Sequence, residues 1–283
     1  MSIHTSLTAP NRYVDVAGTT YAYRRFGTPE KLPVLCLQHF TGTLDNWDPA
    51  IVDALASDRE VILFDNAGVG RSTGKVPDSI VEMARHVEQF LDAIELAKVN
   101  VLGFSLGGFL AQELAIARPE RIERLVISGS APEGGEGAGM DRPELLSIYT
   151  DESIDPYGKL ERLFFPPDDN GQRAAKAFVA RLKSRTGEAD APISAEVAPT
   201  QLQAMMDWAN RSGDAACKLN QIPHKVLVTN GSNDVMIPTR NSMVLAESLP
   251  NATLIVYPNS GHGALFQYPS TYVGHVRQFL DEA

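Results

Sequence analysis

Cysteine and long apolar runs are scarce in this sequence. Its 283 residues include two cysteines, Cys36 in an apolar run and Cys217 in a polar stretch, which indicates two independent thiols and not a disulfide framework. No segment reaches the roughly 18 consecutive apolar residues of a membrane-spanning helix. Residues 1–10 lack a basic start followed by an apolar stretch. We therefore expect a cytoplasmic protein.

Positive charge is also in deficit. The chain has 25 Lys and Arg against 35 Asp and Glu, a formal charge of −10, and no basic cluster. A nucleic-acid partner is disfavoured, because nothing would offset the repulsion from its phosphates. The hydrophobic fraction of 43% is that of an ordinary globular protein. We expect a small-molecule substrate and no nucleic-acid or membrane partner; monomer and dimer both remain open.

Apolar runs alternate with helical patterns along most of the chain. Two β-rich runs, 13–16 and 21–26, flank a turn at Gly18 and predict a hairpin at one edge of a sheet. Further apolar runs lie at residues 34–38, 61–65, 99–103, 125–128, 226–229 and 253–257. Such runs, separated by helices such as 80–96 and 107–117, are typical of a parallel sheet covered on both faces. The predicted fold is α/β, with a doubly wound, mostly parallel sheet.

The alternation stops in the middle of the chain. A glycine-rich loop at residues 134–139 leads into helix-like segments without a further strand, which favours a helical cap inserted over the sheet. The expected division is a first core part at 1–131, a helical cap at 132–217 and a second core part at 218–283. Trp208, within the cap, fits a pocket lining and the cap interior equally well.

The most specific motif is G-F-S-L-G at residues 103–107, between an apolar run and a helical pattern. A serine on a tight strand-to-helix turn needs small neighbours, because its backbone is strained, and the turn lifts the hydroxyl clear of the sheet. The pentapeptide alone arises often by chance. Its position between strand and helix makes Ser105 the predicted nucleophile.

A serine hydroxyl becomes a good nucleophile only when a base takes its proton and a carboxylate orients that base. Asp234 follows the strand pattern at 225–229 directly, and His262 follows the pattern at 253–257. The chain order Ser, Asp, His is the one that a strand-turn-helix serine hydrolase uses. We predict that Asp234 is the orienting acid and His262 the general base.

Taken together, these motifs resemble the α/β-hydrolase superfamily, from the opening hairpin to a final helix at residues 272–280. Within it, the sequence is similar to the capped esterases and the cofactor-free haloperoxidases, or perhydrolases. The resemblance implies hydrolysis without a cofactor. The remaining histidines show no metal-ligand spacing, so no metal site is expected.

In that superfamily the loop after the third strand usually reads His-Gly followed by a variable residue, whose backbone N–H helps to form the oxyanion hole. This chain reads Q-H-F-T-G at residues 38–42, one glycine short. Phe40 and Thr41 are both candidates for that donor, and Phe40 is favoured. The Leu106 N–H, next to the nucleophile, is the other expected donor. His39 and Asp65 are interpreted as structural residues that brace turns.

The predicted activity is acyl transfer to water through an acyl-enzyme on Ser105, on a small or medium, largely apolar carboxylic ester. The same triad serves perhydrolases, lactonases and carbon-carbon hydrolases, so these remain alternatives. A different class, a small-ligand receptor with vestigial hydrolysis, also remains, since some members of the fold mainly bind a ligand.

Overall fold

One sheet of eight strands organises residues 4–139, 142–213 and 215–282, the parts of the chain that the computed structural model describes. The strands are β1 (Arg12–Val16), β2 (Thr19–Gly27), β3 (Val34–Leu37), β4 (Glu60–Phe64), β5 (Val99–Phe104), β6 (Ile122–Ser128), β7 (Lys225–Gly231) and β8 (Ala252–Tyr257). Their spatial order is β1-β2-β4-β3-β5-β6-β7-β8. β1 pairs with β2, and β2 with β4, in antiparallel register, whereas all later pairs are parallel.

The burial of the strands follows from their positions. β3 and β5, in the middle of the sheet, are buried at every residue, as continuous apolar runs covered on both faces require. β1 lies at an edge and is half-exposed. The predicted α/β fold, with a mostly parallel sheet and an N-terminal antiparallel hairpin at its edge, is confirmed.

Helices connect the strands. They are α1 (Pro49–Leu55), α2 (Ile80–Ala93), α3 (Leu106–Ala117), α4 (Pro143–Thr150), α5 (Pro156–Phe164), α6 (Asp169–Leu182), α7 (Val197–Ala209), α8 (Ala215–Leu219), α9 (Arg240–Ser248), α10 (Ala264–Gln267) and α11 (Pro269–Asp281). α2 ends three residues before the predicted limit at 96, because Glu95 takes a φ of 55° and leaves the helical region. Within the described ranges, none of these helices is long and apolar enough to cross a membrane.

The helices α4 to α8 lie between β6 and β7, and we name this segment the helical insertion. Among its described residues it contains helices and no strand. The predicted boundary at residue 217 falls inside α8, which ends at Leu219, and the division into core and cap stays a prediction. The outer limits of the predicted division, residues 1 and 283, lie outside the described residues.

The insertion is tied to the core by arginines at the end of α6. The Arg181 guanidinium donates to both carboxylate oxygens of Asp48, at 2.7 and 2.6 Å. Asp48 is fully buried and also caps α1 by accepting from the Ala50 N–H. Arg185 donates to the carbonyl oxygens of Ser6 and Ala9. A buried carboxylate requires such partners, so α6 and the first helix of the core are held together.

Candidate active site

Ser105 lies on a strained turn between β5 and α3. Its φ of 55° and ψ of −118° are rarely adopted by a residue with a side chain. The turn is possible because its glycines allow close backbone approach: a Cβ at Gly107 would lie 2.0 Å from the Leu37 carbonyl oxygen. The Ser105 N–H donates to the Ser128 carbonyl at 2.9 Å, which ties the turn to β6. A strained strand-to-helix turn of this kind is what a serine nucleophile requires, and the role of Ser105 stays a prediction.

The close approach at Gly107 leads to a stability prediction. Gly107→Ala should lower the free energy of unfolding by about 3 kcal/mol, because the added methyl group would displace backbone, which cannot give way as a side chain can. Urea denaturation followed by circular dichroism measures this. The matched control is Gly274→Ala on α11, where no atom lies within 4 Å of the added Cβ, and stability should stay equal or rise by up to about 1 kcal/mol. Equal denaturation midpoints for Gly107→Ala and wild type would contradict the prediction.

The loops after β7 and β8 bring Asp234 and His262 together. His262 Nδ1 lies 2.8 Å from Asp234 Oδ2, and both side chains are fully buried. The other carboxylate oxygen, Oδ1, accepts the N–H groups of Met236 and Ile237 at 2.8 and 2.9 Å. The two loops are also joined by the Asn233 N–H, which donates to the Ser260 carbonyl. The carboxylate is therefore fixed in place, and the imidazole carries its proton on Nδ1.

The second ring nitrogen, His262 Nε2, is buried and has no hydrogen-bond partner in the described parts of the chain. The ring is enclosed by aromatic side chains, with the Phe104 and Phe164 centroids at 4.9 and 5.5 Å. A Cβ at Gly129 would lie 3.2 Å from its Cε1. The Ser105 N–H donates to the carbonyl of Ser128, the residue before Gly129, so the serine turn and the His262 ring both lie near the carboxyl end of β6. Among the described residues no hydrogen bond joins the Ser105 hydroxyl to His262 Nε2, so the pairing of nucleophile and base stays a prediction. The lone pair of Nε2 is therefore free to accept a hydrogen bond from a hydroxyl group.

The structure distinguishes between the two candidate oxyanion donors on the loop after β3. The Thr41 N–H donates to the Gln201 side-chain oxygen at 2.7 Å and is therefore engaged. Among the described residues, nothing accepts a hydrogen bond from the Phe40 N–H. Leu106 is the first residue of α3, so its N–H lacks an acceptor within the helix. The Phe40 and Leu106 N–H groups are thus without an acceptor among the described residues, and their role as oxyanion donors stays a prediction.

His39 braces the same loop. Its Nδ1 lies 2.8 Å from the Phe40 carbonyl oxygen, to which it donates. Burial, with a smaller contribution from the nearby His262, lowers the pKa of His39 to about 4, although the hydrogen bond to Phe40 opposes this shift. The ring is therefore neutral at neutral pH. A neutral His39 places no positive charge against an imidazolium at His262. This arrangement agrees with the structural role expected from the sequence.

Trp208 packs inside the protein. Its ring stacks on Phe109 of α3 with centroids 5.3 Å apart, and its Nε1–H donates to the Pro132 carbonyl at 3.2 Å. The side chain is 2% exposed. Of the two expectations for Trp208, the interior position is the observed one.

Gln201 of α7 is a polar residue that none of the sequence motifs indicated. Its side chain binds the loop after β3. It is 1% exposed and lies on the buried face of α7 together with Val197, Met205 and Trp208. A glutamine at helical spacing within an apolar face is a signal available in the sequence. The sequence does not show that Gln201 binds Thr41, because the two residues lie 160 positions apart.

Asp65, expected to brace a turn, is buried and accepts the N–H groups of Leu44 and Arg71. The Leu44 N–H is shared with Asp190 of the insertion, at 3.1 Å. Burial and the adjacent Asp190 carboxylate raise the pKa of Asp65 well above its ordinary value. The protonated form of Asp65 is therefore favoured, and the common donor, the Leu44 N–H, joins the end of the insertion to the core.

The raised pKa of Asp65 predicts a pH dependence of stability. Because the folded-state pKa of Asp65 is raised, the folded protein keeps a proton that the unfolded chain releases above about pH 4, and stability falls as pH rises from there towards the folded-state pKa. In Asp190→Asn the folded-state pKa of Asp65 should be lower. The loss of stability with rising pH should then be smaller, by about 1.4 kcal/mol for each unit by which this pKa falls. Melting temperatures between pH 5 and 8 measure the slope. Glu188→Gln, an exposed charge change in the same segment, should leave the slope unaltered. Equal slopes for Asp190→Asn and wild type would refute the effect of Asp190 on the pKa of Asp65.

The fold and this geometry define an α/β hydrolase, and the comparison of sequences agrees. The sequence pattern of the α/β hydrolase fold family matches residues 33–269, so the chain belongs to that family. The relative named "Putative carbamate hydrolase RutD", from Caulobacter sp. (strain K31), is 30% identical over 246 residues, which are 83% of this chain and 85% of the relative.

Solved structures show the same fold. The α/β hydrolase fold protein from Chitinophaga pinensis is 38% identical, with a TM-score of 0.93 over 99% of this chain and all of that one. A hydrolase from Pseudomonas aeruginosa PA01 is 26% identical, with a TM-score of 0.73 over 96% of this chain and 98% of its own. The predicted superfamily is thus confirmed.

Proposed function

We propose that the protein is a serine hydrolase that cleaves a small or medium, largely apolar carboxylic ester through an acyl-enzyme on Ser105. The observation that carries the proposal is the buried 2.8 Å pair of His262 and Asp234, whose imidazole leaves Nε2 unpartnered beside the strained serine turn. A nucleophile, a base and an orienting acid in this relation are the minimal set for acyl transfer.

In the proposed reaction, Ser105 Oγ attacks the ester carbonyl carbon while its proton passes to His262 Nε2. The resulting imidazolium is stabilised by the Asp234 carboxylate across the bond to Nδ1. The oxyanion accepts hydrogen bonds from the Phe40 and Leu106 N–H groups. When the tetrahedral intermediate collapses, the bond to the leaving alcohol breaks and His262 returns the proton to it. Water then repeats the sequence on the acyl-enzyme, which releases the acid and frees Ser105.

The preference for an apolar acyl group rests on the side chains around the predicted site. Phe40 packs against Tyr149 of α4 with centroids 5.1 Å apart, and Phe104 and Phe164 enclose the base. An apolar enclosure favours binding through burial of apolar surface, by about 25 cal/mol per Å². It also strengthens the electrostatic interactions of the triad, because water is excluded. We propose that the helical insertion forms the cap over this site.

Carbamate hydrolysis is the second candidate, since curated relatives about 30% identical carry that name. A carbamate carbonyl is attacked by the same nucleophile and gives the same type of oxyanion. Nitrogen donation into that carbonyl makes it less electrophilic than an ester carbonyl. A carbamate substrate therefore requires tighter oxyanion binding from the same two N–H groups.

The test is a pre-steady-state assay with p-nitrophenyl esters of rising acyl length, a p-nitrophenyl carbamate and an acyl lactone. An ester hydrolase of the proposed kind gives a burst of p-nitrophenol equal to the enzyme concentration, with kcat/KM highest for one ester. Repeating the assay with hydrogen peroxide as acyl acceptor tests perhydrolysis. A kcat/KM for the carbamate or the lactone above that of every ester would overturn the ester proposal. Tight ligand binding without any turnover would favour a receptor.

A further inference from the structure

The turn that carries Phe40 contains a second strained residue. The Gly42 N–H donates to the His39 carbonyl at 2.9 Å, which closes a four-residue turn over residues 39–42. Thr41, the third residue of this turn, has a φ of 59°. Glycine or asparagine normally takes that place, because a β-branched side chain is disfavoured at positive φ. Something in the structure must hold Thr41 there.

The peptide group between Phe40 and Thr41 is bound at both ends. Its carbonyl oxygen accepts from His39 Nδ1 at 2.8 Å, and its N–H donates to Gln201 Oε1 at 2.7 Å. Since the Thr41 N–H is a donor, the orientation of the Gln201 amide is fixed with its oxygen towards the turn. Gln201 belongs to α7, so this restraint comes from the helical insertion and not from the core.

Rotation of this peptide is the movement by which Thr41 would escape the positive-φ region. The rotation would break both hydrogen bonds and turn the peptide dipole by about half a turn, beside the Phe40 N–H. The oxyanion hole depends on donors held in position before the reaction, and a displacement of about 1 Å lowers the rate about 100-fold.

We infer that Gln201 is a positioning residue for the oxyanion hole, which it acts on by holding the strained Thr41 peptide so that the Phe40 N–H faces the substrate. This inference rests on the proposed function, because it assumes that Phe40 is an oxyanion donor. It assigns to the insertion a part in the chemical step, in addition to enclosing the substrate.

The test compares wild type with Gln201→Met, which keeps the length of the side chain but removes the acceptor for the Thr41 N–H. We expect kcat on the best ester to fall about 10- to 100-fold, with KM within about twofold, because donor alignment affects the transition state more than substrate binding. The matched control is Gln203→Met on the exposed face of the same helix, which should behave as wild type. An unchanged kcat in Gln201→Met would overturn the inference.

A rescue variant separates positioning from a general structural role. In Gln201→Met, the additional change Thr41→Gly removes the strain, since glycine accepts positive φ, and kcat should recover about fivefold or more. A structural role for Gln201 predicts no recovery, because glycine only adds flexibility. Melting temperatures of all variants show whether the fold is kept. A further fall in kcat on adding Thr41→Gly would overturn the inference.

A fluorophosphonate probe tests the inference independently of the ester proposal. Ser105 Oγ attacks phosphorus, the P–F bond breaks, fluoride leaves and the serine proton passes to His262, so labelling needs the oxyanion hole but no particular substrate. The labelling rate, followed by intact mass, should fall about 10- to 100-fold in Gln201→Met. If wild type cleaves no ester but shows this difference in labelling, the ester proposal fails and the positioning role stands. Equal labelling rates for wild type and Gln201→Met would overturn the positioning role.

Discussion

Ser105→Ala is expected to lower kcat about 10⁶-fold, the largest effect of any single substitution proposed for this protein. Without the hydroxyl no acyl-enzyme forms, and the buried His262 has no nucleophile to activate. The backbone of the turn should be kept, because its hydrogen bonds, to Ser128 and from the Ser130 hydroxyl, involve the main chain of residue 105. Steady-state kinetics on the best ester, with a melting curve to show that the fold is intact, measures the effect.

The matched control for this substitution is Ser147→Ala on α4, where the hydroxyl is exposed and donates to the Glu144 carbonyl. That variant should keep full activity. If Ser105→Ala retained more than about a hundredth of the wild-type kcat, the covalent mechanism would be wrong, because uncatalysed attack by water is far slower.

Asp234→Asn is expected to lower kcat about 10⁴-fold without unfolding the protein. The reason lies in the fixed surroundings of the side chain. The N–H groups of Met236 and Ile237 both donate to Oδ1, so the amide oxygen must occupy that position and the NH₂ group must face His262 Nδ1. Nδ1 then becomes an acceptor, the ring proton moves to Nε2, and the base is no longer able to take the serine proton.

Kinetics over a range of pH, on the same ester, measure this effect. The control is Asp207→Asn, an exposed carboxylate on α7 that accepts from Gln203 and should be neutral. Wild-type-like turnover by Asp234→Asn would remove Asp234 from the proposed triad and direct attention to another acid.

The strands, the strained turn at Ser105 and the pairing of Asp234 with His262 were predictable because the information that defines them is local. Continuous apolar runs identify the central strands, and the glycines around Ser105 mark the strained turn. Asp234 and His262 each follow directly after a strand, and parallel strands place their carboxyl ends at one edge of the sheet.

The contacts of the helical insertion were not predictable in this way. Gln201 meets Thr41, and Asp190 meets Leu44 beside Asp65, across 160 and 146 positions of the chain. No periodic pattern in the sequence predicts such contacts, because each depends on how α7 and the end of the insertion pack against the core. The positive φ of Thr41 was not predictable either. Threonine normally avoids this region, and the Gln201 contact on the Thr41 N–H comes from a distant part of the chain.

The ion pair of Arg181 with the buried Asp48 limits how this protein can be recombined with its relatives. An insertion transplanted from another hydrolase without an arginine at the end of α6 would leave the Asp48 carboxylate buried and unpaired, at a cost of about 3–5 kcal/mol. A chimaera therefore needs both partners from the same parent. The insertion and the core of this protein are therefore matched at this ion pair.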